Sequence, residues 1–155
     1  MAESILTIRE AVESDEVVIA EHLRRIALQI GVSPESVRQD LLDKTIKFID
    51  RARRELQYKG FIAEINEQIL GSVSCQILEL YPMVSQDYQK GYIWGVYVEP
   101  SHRRQGIATM LMKEAMTHLK EIGCTKAVLH ASDMGKLLYS NLGYIESNEM
   151  VFSLA

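Results

Sequence analysis

Residues 96–108, Val-Tyr-Val-Glu-Pro-Ser-His-Arg-Arg-Gln-Gly-Ile-Ala, form the stretch of this chain best suited to chemistry. An apolar, strand-like run stops at Pro100, turns through His102 to Gly106, and opens a helical pattern at Ile107. The first N–H groups of a helix have no partner inside it, and the aligned peptide dipoles leave partial positive charge there. Such a turn holds an anion, a pyrophosphate above all. Gly106 lets backbone approach the anion with no Cβ in the way, and Ala108 keeps the same approach clear just inside the helix. His102, Arg103 and Arg104 add donors or charge at the mouth, with Gln105 between them and the glycine. An ordinary strand–turn–helix joint has the same outline, because short glycine signatures produce many false matches. The dinucleotide fingerprint is absent, since it needs further glycines and a distal acidic residue.

Other reactive side chains lie outside this run. Tyr139 opens the element Tyr139-Ser140-Asn141-Leu142-Gly143-Tyr144, and Glu79 stands near the end of an apolar run. His130 reads either as a proton relay or, more in keeping with its apolar surroundings, as a core histidine. Glu99 reads as a surface residue, because inward its charge would repel a phosphate. Ser132 and Asp133 suit the start of a helix. No spacing of Cys, His, Asp and Glu suggests a metal site, and the two cysteines, Cys75 and Cys124, lack zinc-ligand spacing.

Positioning these residues requires an alternation of elements. A short strand is expected at Thr7–Arg9, then a helix capped by Asp15 and running to about Ile30. Ser33-Pro34-Glu35-Ser36 is a second start signal, for a helix reaching about Leu56 whose Arg51, Arg53 and Arg54 form a solvated face. Strands follow at Phe61–Ile65 and Ile69–Leu80, joined by a tight turn at Asn66–Gln68, with a bulge at Gly71. Tyr81–Lys90 reads as a polar loop and Tyr92–Val98 as the strand before the turn. A helix from Ile107 to Ile122, ended by Gly123, leads to a strand at Lys126–Ala131 and a short helix at Gly135–Asn141. Met150–Leu154 closes the chain as a last strand.

One domain over residues 1–155 accommodates this order, without repeat or linker. Apolar residues at 47% and charged residues at 25% belong to a folded chain. No apolar run approaches the roughly 18 residues of a membrane span, and the N-terminus lacks a signal-peptide layout. With only two cysteines and no such layout, a cytoplasmic location is expected. The net charge of −4, with no run of Lys and Arg, argues against nucleic acid as a partner.

Arg103-x-x-Gly106-x-Ala108 resembles the (Gln/Arg)-x-x-Gly-x-(Gly/Ala) signature of the GCN5-related N-acetyltransferases, and Tyr139 to Tyr144 resembles their Tyr-x-x-x-Gly-(Phe/Tyr) element. The resemblance implies an α+β fold of three layers, α/β/α, whose mixed, mostly antiparallel sheet splays around acetyl-coenzyme A. It places the backbone of Val96 and Val98 on the acetyl group and pantetheine arm, and the amides from Arg104 through Gln105, Gly106 and Ile107 to Ala108 on the pyrophosphate. Ser132 stands where many relatives contact the coenzyme with Asn. Tyr139 becomes the general acid for the departing thiolate, and Tyr144 a packing residue. Some relatives carry a Glu where this chain has Tyr92, so the base is assigned to Glu79. The acceptor site falls to the first two helices and the loop with Tyr81, Asp87 and Tyr88, for a small-molecule amine, in a monomer or homodimer. A protein amine as acceptor, a longer acyl group, and a silent coenzyme-A-binding module on the same fold are the alternatives.

Overall fold

Five strands hydrogen-bond in chain order in the computed structural model, which describes residues 3–86 and 88–155. They are β1 (Leu6–Glu10), β2 (Lys59–Ile65), β3 (Gln68–Leu78), β4 (Lys90–Val98) and β5 (Lys126–Val128). Each neighbouring pair is antiparallel except β4 and β5, which run parallel. Helices α1 (Glu16–Gln29) and α2 (Leu41–Glu55) cover one face. Helix α3 (Ile107–Glu121) covers the other, joined there by the short α4 (Lys136–Asn141). The result is a mixed, mostly antiparallel sheet between helical layers, as expected.

Side-chain alternation along β2 sorts the two cores. Phe61 and Ala63 point to Leu111, Met112 and Ala115 of α3, whereas Ile62 between them joins Ile19 of α1 and Ile49 and Ala52 of α2. The hairpin from β2 to β3 turns at Asn66 and Glu67, whose φ angles of +50° and +65° match the right-handed twist of the strands. A bulge follows, since Ala63 pairs with Gly71 and Glu64 with Ile69, leaving Leu70 extra.

The face under α1 and α2 carries a buried polar seam that composition does not reveal. Ser72, Ser74 and Gln76 of β3 bond His22 (2.6 Å), Tyr58 (2.8 Å) and Trp94 (2.6 Å) respectively. The His22 ring also stacks on Tyr97, with centroids 4.4 Å apart. Burial lowers the His22 pKa from 6.5 to about 4. Below pH 6.5 the unfolded chain therefore takes up a proton that the folded chain refuses until about pH 4. Stability is complete above pH 6.5 and falls as pH drops through that window, by roughly 3 kcal/mol at 1.36 kcal/mol per unit. The urea midpoint should drop over this range, and His22→Gln should flatten the drop. An equal drop in the variant would assign the effect to carboxylates.

Five expectations differ from the structure. Asp15 sits before α1 but does not cap it; its carboxylate turns back to accept from Arg9 (2.7 and 2.9 Å) and from the Val12 N–H (2.7 Å). A 3₁₀ turn over Glu13–Asp15 already holds its backbone in the helical region. Pro34 starts only one 3₁₀ turn, to Ser36, and Val37 is extended. Nothing in that turn is buried, so no packing prolongs it, and α2 begins where its buried stripe of Thr45, Ile49 and Ala52 can form. Arg53, expected on a solvated face, instead pairs with the buried Glu16 and lies over the Tyr58 ring. Strand β5 ends at Val128 rather than Ala131, and Met150–Leu154 forms no strand.

Candidate active site

The parallel pairing of β4 and β5 stops at Tyr92 and Val128. Beyond that rung β4 continues to Val98 while the chain after β5 leaves it for α4, so the outer edge of β4 from Ile93 onward has no strand partner. A bulge in the same strand re-aims its side chains. Ser74 pairs with Trp94 and Ser72 with Tyr97, so Gly95 and Val96 together face Val73. Gly95 makes the bulge with φ +65°, in the left-handed region that suits glycine. Tyr97 then packs on His22 toward α1, while Val96 and Val98 pack toward α3. Sequence reasoning missed this bulge, although a glycine inside an otherwise apolar strand is its signal.

A cavity of about 380 Å³ fills the gap between the diverging strands. Val96 and Val98 form one wall, and Ser132, Leu138 and Tyr139 the opposite one. The turn before α3 closes its end. Arg104 and Gly106 are both left-handed there, at φ +61° and +81°, and a Cβ built on Gly106 would meet no atom within 4 Å. The glycine thus serves the backbone angle, and the space beside it is open. Among the described residues, none accepts a hydrogen bond from the backbone N–H groups of residues 104–109. Six donors at the start of a 15-residue helix are therefore free.

Of the residues singled out for coenzyme binding, Val96, Val98, Arg103, Arg104, Gly106, Ile107, Ala108 and Ser132 all border this cavity. The side chain of Arg103 is anchored to the end of β4. Its Nε donates to the Val98 carbonyl (3.0 Å), and the guanidinium lies over the Tyr97 ring, so it braces the turn from behind. Glu99 is half-buried rather than a plain surface group, accepting from Arg25 of α1 (2.5 Å) and from the Tyr97 hydroxyl (3.3 Å). This pair ties α1 to the turn. Ser132 accepts from the Gly135 N–H (3.3 Å) at the start of α4.

Tyr139 stands on the wall opposite β4, its ring against Gly135 and edge-on to Tyr144 at 6.0 Å. Its hydroxyl has no hydrogen-bond partner among the described residues, and burial raises its pKa above 10. It is a protonated donor in need of an acceptor. The Tyr144 hydroxyl is also unpartnered and is closed off from solvent, although the ring is only half-buried, and its pKa is pushed up to about 12 by burial. That environment makes Tyr144 a packing residue.

Glu79 is not in this site. It lies exposed just past β3, five residues beyond the Ser74–Trp94 pair, about 17 Å at 3.4 Å per residue. Tyr81 and Tyr88 lie at the same remote end, where the Tyr88 ring receives Lys90 and Lys126. Asp87 falls outside the described residues. His130 is not a core histidine, since its side chain is 66% exposed. It bridges the vertex of the gap instead, with Nδ1 2.6 Å from the Tyr92 hydroxyl and Nε2 3.3 Å from Glu149.

The model of the acetyltransferase (GNAT) family matches residues 20–144, which takes in the bulged strand, the turn before α3 and Tyr139. The chain belongs to that family. An N-alpha-acetyltransferase 30 of Xenopus laevis is 30% identical over 93 residues, 58% of this chain and 33% of that protein. An aminoglycoside N(6')-acetyltransferase type 1 of Acinetobacter haemolyticus is 28% identical over 94 residues, 59% of this chain and 65% of that enzyme. The chain thus spans less than two-thirds of either relative. A predicted acetyltransferase from Clostridium acetobutylicum, solved with acetyl-CoA, superimposes on this GNAT chain with a TM-score of 0.83, at 25% identity over 96% of both chains. Among the described residues, no group of three or more His, Cys, Asp or Glu gathers as metal ligands would.

Proposed function

We propose that the chain transfers the acetyl group of acetyl-CoA to a primary amine of a small, amino-acid-like molecule, by direct attack with both substrates bound. The observation that carries this reading is the split sheet itself, with six free N–H donors at one end of the cavity and the free Tyr139 hydroxyl on its wall. The donors suit a pyrophosphate, and the apolar channel between Val96 and Leu138 suits a pantetheine arm. When bound, the thioester supplies the activated acyl carbon.

The protein's own groups divide the remaining work. The unpaired edge of β4 near Val96 presents backbone N–H to the carbonyl oxygen, where charge develops. Tyr139 donates a hydrogen bond to the leaving sulfur. An alkyl amine titrates near 10 and must shed a proton before it attacks. We assign that proton to the Tyr92–His130 pair at the vertex, in place of Glu79. His130→Gln should shift the pH profile of kcat/KM, and a profile unchanged by that substitution would remove the pair from the role.

The small-molecule acceptor is favoured by the aminoglycoside relative, whose length is matched about twice as far as that of the N-alpha-acetyltransferase. The latter similarity keeps a peptide N-terminus as the second reading. Calorimetric titration with acetyl-CoA, followed by thiol release over a panel of aminoglycosides, polyamines, amino acids and peptides, tests both. Micromolar binding with turnover of a small amine is expected. Turnover of peptides alone would replace the acceptor class, and no binding to folded protein would overturn the proposal.

A further inference from the structure

Contacts from α1, from β3 and from the turn before α3 meet on one side chain, Tyr97. It is 4% exposed and lies between the bulge at Gly95 and the turn that opens α3. From β3, Ser72 pairs with it across the sheet and holds His22 of α1 at 2.6 Å. The His22 ring stacks on the Tyr97 ring at 4.4 Å. From the turn, the Arg103 guanidinium lies over the same ring, 5.9 Å from its centroid.

The hydroxyl adds a link that filling space does not need. It donates to Oε2 of Glu99 (3.3 Å), and Oε1 of that carboxylate accepts from Nη1 of Arg25 on α1 (2.5 Å). The Glu99 N–H donates to the Leu70 carbonyl (2.7 Å), so the same residue is also fastened to β3 as the turn begins. A phenylalanine would stack on His22 as well as tyrosine does, yet it would leave Glu99 untied. Helix and turn are thus joined twice, by a ring stack and by a shared carboxylate.

The same face of α1 reaches the cavity. His22, Arg25, Ile26 and Gln29 stand three and four residues apart, which puts them on one side of the helix. Ile26 and Gln29 border the 380 Å³ cavity together with Arg104 and Gly106 of the turn. Fixing α1 against Glu99 therefore fixes two walls of one cavity relative to each other.

We propose that Tyr97 is a positioning residue for acetyl-CoA, acting through Glu99 and Arg25 to hold α1 against the turn whose N–H groups receive the pyrophosphate. This rests on the coenzyme reading above. A hydrogen bond to a charged group shifts an equilibrium by roughly ten- to a hundred-fold. The Arg25 and Glu99 side chains are 40 and 25% exposed, and solvent screening puts the effect at the lower end or just below it.

Tyr97→Phe keeps the ring and removes only the hydroxyl, and Arg25→Met cuts the same link from the helix side. Each should weaken acetyl-CoA binding about five- to tenfold by calorimetric titration, with kcat at saturation within about twofold of the parent. The double variant should bind no more weakly than the weaker single variant, because both changes sever one link. Arg25→Lys, which keeps the charge, should recover part of the affinity. Unchanged affinity in the single variants, losses that add in the double variant, or a fall in kcat with affinity intact would each overturn the assignment, while acetyl-CoA binding by the parent would stand. A folded parent that binds no acetyl-CoA would instead overturn the coenzyme reading and this inference together.

Discussion

Gly106→Glu is expected to abolish acetyl-CoA binding while the chain stays folded. Two costs arise, and their sizes separate them. The φ of +81° is strained for any side chain, by about 1–2 kcal/mol, and the strain falls on the folded state whether or not ligand is present. Arg104 already accepts a left-handed angle two residues earlier, so the turn tolerates such strain. The second cost is specific to the ligand. A carboxylate about 4 Å from a phosphate, at an effective dielectric near 20, is repelled by roughly 4 kcal/mol. At 1.4 kcal/mol per decade that is a loss of several hundred-fold in affinity. Gly106→Ala carries only the first cost, because no atom lies within 4 Å of the added Cβ. The alanine variant should bind within about tenfold of the parent while losing about 1 kcal/mol of stability. Calorimetric titration of both variants, with thermal unfolding as the folding control, checks the pair. Affinity that survives the glutamate would place the pyrophosphate elsewhere.

Tyr139→Phe should lower kcat about a hundred-fold and leave the affinity for acetyl-CoA nearly unchanged. The size follows from acidities. A thiol titrates near 8.5, and the Tyr139 hydroxyl is held above 10 by burial, so full proton transfer to the departing thiolate is uphill. The hydroxyl acts as a fixed hydrogen-bond donor to developing charge, and loss of one such donor costs about a hundred- to a thousand-fold. A thiolate is a fair leaving group, which puts the effect at the lower end. An acetyl thioester of a more acidic thiol needs the donor less, so the difference between parent and variant should shrink with it. Stopped-flow or steady-state thiol release with both donors measures this. Equal turnover in the variant would leave Tyr139 as packing against Tyr144.

The turn before α3 was legible because its geometry is local. Glycine at 106 and the helix that starts at Ile107 are read within a few residues, and their free N–H groups follow from helix geometry alone. The β2–β3 hairpin and the bulge at Leu70–Gly71 were legible for the same reason. Errors came where an outcome depends on contacts distant in sequence. Glu79 looked available because it ends a strand, but the register of β3 on β4 puts it at the wrong end of the sheet. His130 looked like a core residue by its neighbours in the chain, and the early end of β5 left it exposed at the vertex.

Propensity and spacing were enough for most elements and for the turn before α3, and the resemblance of two short motifs for the family, since each depends on residues within one or two turns of chain. The divergence of β4 from β5, the tie of Arg103 to Val98 and the seam around His22 needed the assembled sheet. They depend on which strand lies beside which and where pairing stops. That is decided by the joint packing of both helical layers, a sum over contacts between residues far apart in the sequence.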